Sequence, residues 1–150
     1  MKFKFAKAVA AATLLVCPMA ISASPASAAS LIQITKVQFD SSGTDTGSNT
    51  SLNGEWVAIK NTGTSSRTLT GWTLRDKSAH VFTFPKFTLA AGATMYVKTG
   101  KGSNTSSRLY WQNSYYVWNN TGDTAYLRNS AGTLADSCAW TSRGTGYKLC

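Results

Sequence analysis

Apolar residues recur at alternate positions in several short stretches of the chain, and runs of small polar residues separate those stretches. Across residues 31–39 the apolar positions are Ile32, Ile34, Val37 and Phe39, with no Gly or Pro between them, which predicts a first strand. Residues 40–54 are almost wholly Ser, Thr, Gly, Asn and Asp and read as a long exposed loop. Alternation resumes over 55–61, sending Val57 and Ile59 to one face and Trp56, Ala58 and Lys60 to the other. A turn at Asn61-Thr62-Gly63-Thr64 leads to a third strand over 67–75, a fourth over 80–84 that Pro85 stops, and a fifth over 94–98 after the turn at Leu89-Ala90-Ala91-Gly92. Residues 99–107 form another polar loop. Residues 123–128 and 133–140 make a hairpin about Asn129-Ser130-Ala131-Gly132.

No segment carries a sustained helical period of apolar residues, so the pattern predicts an all-β antiparallel sandwich or barrel. The N-terminus follows a different rule. Lys2, Lys4 and Lys7 precede an apolar run from Ala8 to Val16, and Ala26-Ser27-Ala28 is a small-residue cleavage site. Residues 1–28 are expected to be a cleaved signal peptide and 29–150 one exported domain. The run is too short to span roughly 30 Å of hydrocarbon, and Pro18 breaks its helix, so no transmembrane span is expected after cleavage.

Export changes the meaning of charge and cysteine count. The whole chain carries a formal +9, and loss of the three leader lysines leaves twelve Lys and Arg against six Asp and Glu, a net +6. Such a balance suits a polyanionic partner or simple solubility. Cys17 leaves with the leader, so Cys138 and Cys150 form an even pair in an oxidising compartment and are expected to bond, tying down the C-terminal residue. In the chain-entropy description that closure stabilises the fold by roughly 3 kcal/mol. A zinc site does not suit the spacing, because the single histidine, His80, lies far away in sequence. Asp40 and Asp45 do not match a calcium loop.

The ordered set of short motifs resembles the lamin tail domain family, an immunoglobulin-like β-sandwich. Its opening half is similar to Leu52-Asn53-Gly54-Glu55-Trp56-Val57 with Ile59-Lys60-Asn61, then Leu69, Gly71-Trp72-Thr73-Leu74-Arg75-Asp76 and Phe84-Pro85. Leu89 with Gly92, Tyr96-Val97, Thr99-Gly100, Trp118-Asn119-Asn120, Gly122-Asp123, Ala125-Tyr126-Leu127 and Gly132 follow in the family's order. The resemblance implies a binding or structural module: animal relatives belong to nuclear filament proteins and contact chromatin, and bacterial relatives are often joined to secreted hydrolases. It also assigns Trp56 and Trp72 to core packing. Family members often carry a second acid where this chain has Ala58.

Catalysis is not expected. His80 heads a strand beside apolar residues with no Gly-flanked serine nearby, and the six acids are scattered, with Asp76 and Asp123 placed to cap turns. No cofactor or metal is expected. The partner is open: a protein held at a sheet edge or loop, a cell-surface polymer, or nucleic acid, with the protein a monomer. For glycan binding the dense cluster Tyr110, Trp111, Tyr115, Tyr116 and Trp118 supplies rings, Tyr115 and Tyr116 foremost, and Gln112 and Asn113 supply amides. For a polyanion, Lys98, Lys101, Arg108, Arg128, Arg143 and Lys148 serve if the fold gathers them. The ligand-binding candidates are therefore Tyr115, Tyr116, Lys101 and Arg108.

Overall fold

A computed structural model describes residues 30–150, and the expected signal peptide with Cys17 lies outside the described residues. Its elements are β1 (Ile32–Gln38), α1 (Asn49–Leu52), β2 (Trp56–Asn61), β3 (Arg67–Thr68), β4 (Thr73–Arg75), β5 (Val81–Thr83), β6 (Thr88–Leu89), β7 (Thr94–Lys98), β8 (Arg108–Tyr110), β9 (Asp123–Arg128), β10 (Leu134–Trp140) and β11 (Tyr147–Leu149). A five-stranded sheet in the order β11-β1-β2-β7-β8 faces a four-stranded sheet in the order β10-β9-β4-β5, and β3 with β6 form a separate ribbon. This is the immunoglobulin-like β-sandwich that the alternation and the family resemblance implied. Every pairing is antiparallel except β7 with β8, which run parallel.

The inward positions of both sheets supply one core. Val37, Val57, Val97 and Leu109 lie side by side across the five-stranded sheet, and Leu74, Phe82 and Leu127 do so across the other, all buried. Phe39 stacks on Trp140 with ring centroids 4.6 Å apart, joining the two layers at one end. Burying such side chains contributes roughly 1.5–3 kcal/mol each, which offsets the entropy of ordering so many loops.

The structure differs from the sequence reading at α1, in the third strand and in three short strands. The loop over 40–54 contains the single turn α1, capped by Ser48, whose hydroxyl accepts from the Ser51 amide at 3.3 Å. The expected third strand breaks in two because Gly71 sits at φ +76°, a left-handed turn that drops Leu69 into the core and lets Gly71 donate to the Phe84 carbonyl. The short strands β6, β8 and β11 carry too few alternating residues to register as a pattern. Residues 111–118 form no strand.

Cys138 on β10 is bonded to Cys150 beyond β11, with Cα atoms 5.8 Å apart. The bond joins the edge strand of one sheet to the edge strand of the other and closes that side of the sandwich. Both β1 and β10 bulge there, and Asp136 fills the break by accepting the Ile34 amide at 2.8 Å.

Candidate functional site

Alternation sends every second residue of the five-stranded sheet outward, and strand register arranges those residues in rows. One row runs Tyr147, Gln38, Trp56, Lys98, Tyr110 across β11, β1, β2, β7 and β8. The next runs Leu149, Lys36, Ala58, Tyr96, Arg108, and a third holds Gln33, Lys60 and Thr94. None of the five strands contains an Asp or Glu. The outer face is therefore a mixture of aromatic rings and cations without a fixed negative charge on its strands.

The rings and cations are already organised. Lys36 Nζ lies 4.0 Å from the Tyr147 ring centroid and 5.1 Å from that of Trp56, so one ammonium is held between two π-faces. Trp56 meets Tyr96 edge to face at 5.3 Å. Trp56 thus packs on the outer face rather than in the core, correcting the assignment made from family position, while Trp72 is half-buried against the core as expected. Burial, and then the like charge of Arg108, lower the Lys98 pKa, and its ammonium donates to the Asn53 carbonyl at 2.9 Å. Tyr110 is covered by Gly102, where even a Cβ would come within 2.4 Å of the ring. The groups left for a partner are Lys60 and Arg108 with Trp56, Tyr96 and Tyr147, and Lys36 adds its charge from its place between two of those rings.

Ala58 makes the face concave. It is the smallest side chain of the middle row, and above it lies a hollow of about 420 Å³ walled by Trp56, Tyr96, Lys36, Lys60, Thr35, Thr94 and Leu149. A larger hollow of about 530 Å³ follows the disulfide seam between Gln33, Asp136, Ser137 and Lys148, but it offers no aromatic ring and contains Asp136, which is committed to Ile34.

The sequence-derived candidates divide among separate places. Arg108 stands on the outer face. Lys101 is exposed in the loop beyond β7, its backbone clamped by Asn49 and Asn53. Tyr115 is 53 % exposed and lies 5.5 Å from the His80 ring, away from any strand. Tyr116 is half-buried, and its hydroxyl accepts the Gly47 amide at 3.1 Å and bonds the Ser51 hydroxyl at 2.6 Å, so it holds the 41–48 loop onto α1. Of the cluster's tryptophans, Trp118 is buried and Trp111 packs against the core. Of the basic set, Lys98 and Arg108 share the face, whereas Arg143 pairs with Asp40 at 2.6 Å, Arg128 donates to Gly132 and Lys148 lines the disulfide seam. Lys36, Lys60, Tyr96 and Tyr147 escaped the reading; their one signal was an outward position in a strand.

The buried acids are structural. Asp76 accepts the His80 amide at 2.8 Å and meets His80 Nδ1 at 2.6 Å, stapling a tight turn. Asp123 accepts amides from Lys77, Asn119 and Thr124, as a turn cap should. Glu55 accepts the buried Val117 amide at 3.1 Å, and burial pushes its carboxyl up to about 8. It ties the start of β2 to the segment that carries the aromatic cluster. Among the described residues no group of three or more His, Cys, Asp or Glu is placed to hold a metal ion, and no helix is long and apolar enough to cross a membrane.

No curated protein matches the chain. The model of the Lamin Tail Domain family matches residues 25–142, which spans β1 to β10 and leaves β11, with Tyr147 and Cys150, beyond the match. Family match and sandwich agree over most of the chain, which belongs to the lamin tail domain family, a group of immunoglobulin-like and generally non-catalytic modules.

Proposed function

We propose that this chain is exported, loses residues 1–28, and acts outside the cell as a non-catalytic module that adsorbs to an anionic polymer through the outer face of its five-stranded sheet. The observation that carries this reading is the composition of that face: Lys36, Lys60 and Arg108 stand among Trp56, Tyr96 and Tyr147 on strands without a single carboxylate. Cations without acids attract a polyanion and release its counterions, and rings add contact that salt does not screen. The disulfide is compatible with an extracellular location. Tyr115 and Lys101, exposed elsewhere, are secondary contacts, and Tyr116 serves to order the loop beside them.

A pair of triple variants separates this face from diffuse charge. Lys36→Ala with Lys60→Ala and Arg108→Ala removes three cations from the face; Arg128→Ala with Arg143→Ala and Lys148→Ala removes three from elsewhere. The expected result is that the first triple elutes from immobilised heparin well below wild type over a gradient from about 50 to 200 mM salt, while the second shifts little. Equal shifts for the two triples would mean that net charge alone binds and would sink the reading.

A further inference from the structure

The hollow over Ala58 has a shape that selects among anionic polymers, and its use rests on the polyanion reading just given. Trp56 and Tyr96 stand at 82° to one another, so their rings form a corner rather than a flat platform. A nucleobase is a flat ring that stacks on the open face of an aromatic side chain. A corner instead fits a puckered saturated ring that lays its C–H face on one aromatic and its edge on the other. The floor is the Ala58 methyl, and Thr35, Thr94 and Leu149 complete the lining. The Thr35 hydroxyl donates to the Ala58 carbonyl at the long distance of 3.4 Å, which keeps it beside the floor. Lys36 and Lys60 flank the hollow and hold positive charge at its rim. An acid at position 58 would fill the floor and repel an anion; the alanine here does neither.

We infer that this hollow seats one acidic sugar ring, a pyranose bearing a carboxylate, of an extracellular polyuronate-type glycan. The ring's apolar face rests on the Trp56–Tyr96 corner, its hydroxyls reach Thr35 and Thr94, and its carboxylate meets the Lys60 ammonium at the rim. About 420 Å³ exceeds a single hexose, so neighbouring sugar units can continue out of the open ends. Both features for which the sequence offered separate partners, rings for a glycan and cations for a polyanion, are satisfied by one ligand.

The test is equilibrium binding of the protein to an oligogalacturonate, to inorganic polyphosphate of matched charge, and to oligothymidylate, all at about 50 mM salt. Oligogalacturonate is expected to bind about tenfold more tightly than polyphosphate. Ala58→Leu, which fills the floor without adding charge, should erase that margin and leave polyphosphate binding unchanged. Thr94→Val, nearly isosteric, should narrow it in the same direction and covers the case in which leucine at 58 perturbs the sheet. Equal affinity for the two anions, or a margin untouched by Thr94→Val, overturns the sugar inference while leaving the polyanion reading standing. Tighter binding of oligothymidylate than of oligogalacturonate overturns it in favour of nucleic acid. Binding to none of the three removes both.

Discussion

Residues 110–118 carry five aromatics close together in sequence, whereas Trp56, Tyr96 and Tyr147 are scattered along the chain, and the two groups serve opposite purposes. In the first, Trp118 is buried edge to face between Trp111 and Trp140, and Tyr116 is bound by its hydroxyl, so most of the cluster holds the end of the sandwich together. In the second, three strands of one sheet bring three rings to a single outer face. Proximity in sequence marks a segment that must pack without strand pairing and needs large side chains to do so. Proximity in space, created by register, marks a surface.

The comparison breaks most sharply at Trp118. Trp118→Ala opens a void between the Trp111 and Trp140 rings and is expected to cost about 3–5 kcal/mol in denaturant unfolding. Trp56→Ala should cost less than Trp118→Ala in the same assay, yet lose more retention on a polyanion matrix. A Trp56→Ala variant that unfolds as readily as Trp118→Ala but still binds would reverse the two roles.

Cys138→Ser combined with Cys150→Ser is expected to lower stability by about 3 kcal/mol. Because β11 lies beyond the family match and carries Tyr147, the same variant should weaken polymer retention if freeing β11 removes that ring from the face. Unchanged binding would show that Trp56 and Tyr96 suffice.

Glu55 connects the two groups, since it precedes Trp56 and accepts the Val117 amide. Its folded pKa is raised from 4.5 to about 8. The folded state therefore keeps a proton that the unfolded chain releases. Its stabilising contribution is complete below about pH 4.5 and declines as pH rises towards 8, by roughly 1 kcal/mol per pH unit. Glu55→Gln, a neutral near-isostere, should remove that slope, as urea unfolding at pH 6, 7 and 8 would read. Parallel pH profiles for Glu55→Gln and wild type would show that the carboxyl does not titrate in this range.

Two tyrosines give the smallest effects and the finest distinction. Tyr116→Phe removes both hydrogen bonds of its hydroxyl and should cost about 1 kcal/mol. Tyr115→Ala, at an exposed position outside any strand, should stay within about 0.5 kcal/mol of wild type. As a secondary contact it should lower polyanion retention less than Trp56→Ala does; a larger loss would move the site from the sheet face to the 111–118 segment.

Much of the architecture was legible because burial imposes a period of two. Val57 and Ile59 lie in the core and Trp56 and Lys60 on the outer face, as their alternation required, while Ala58 shares the outer face but is buried between its longer neighbours. The fifth strand, Thr94–Lys98, falls where its pattern placed it, and the turn-capping roles of Asp76 and Asp123 follow from a short acid beside exposed amides. Strands of two or three residues, such as β6, β8 and β11, offer no period to detect. The candidate site was less legible. Arg108 was singled out for charge and does stand on the face, but Lys36 and Lys60 look like ordinary solvated lysines until their cross-strand neighbours are known.

The sequence by itself determined that this protein is an all-β sandwich of the lamin tail family and which residues of each long strand turn away from the core, because local alternation and turn chemistry act within a few residues. Only the tertiary structure decided which outward residues become neighbours. Strand order and register are set by how the whole core packs, and they alone bring Tyr147, Lys36, Trp56, Ala58 and Tyr96 onto one face.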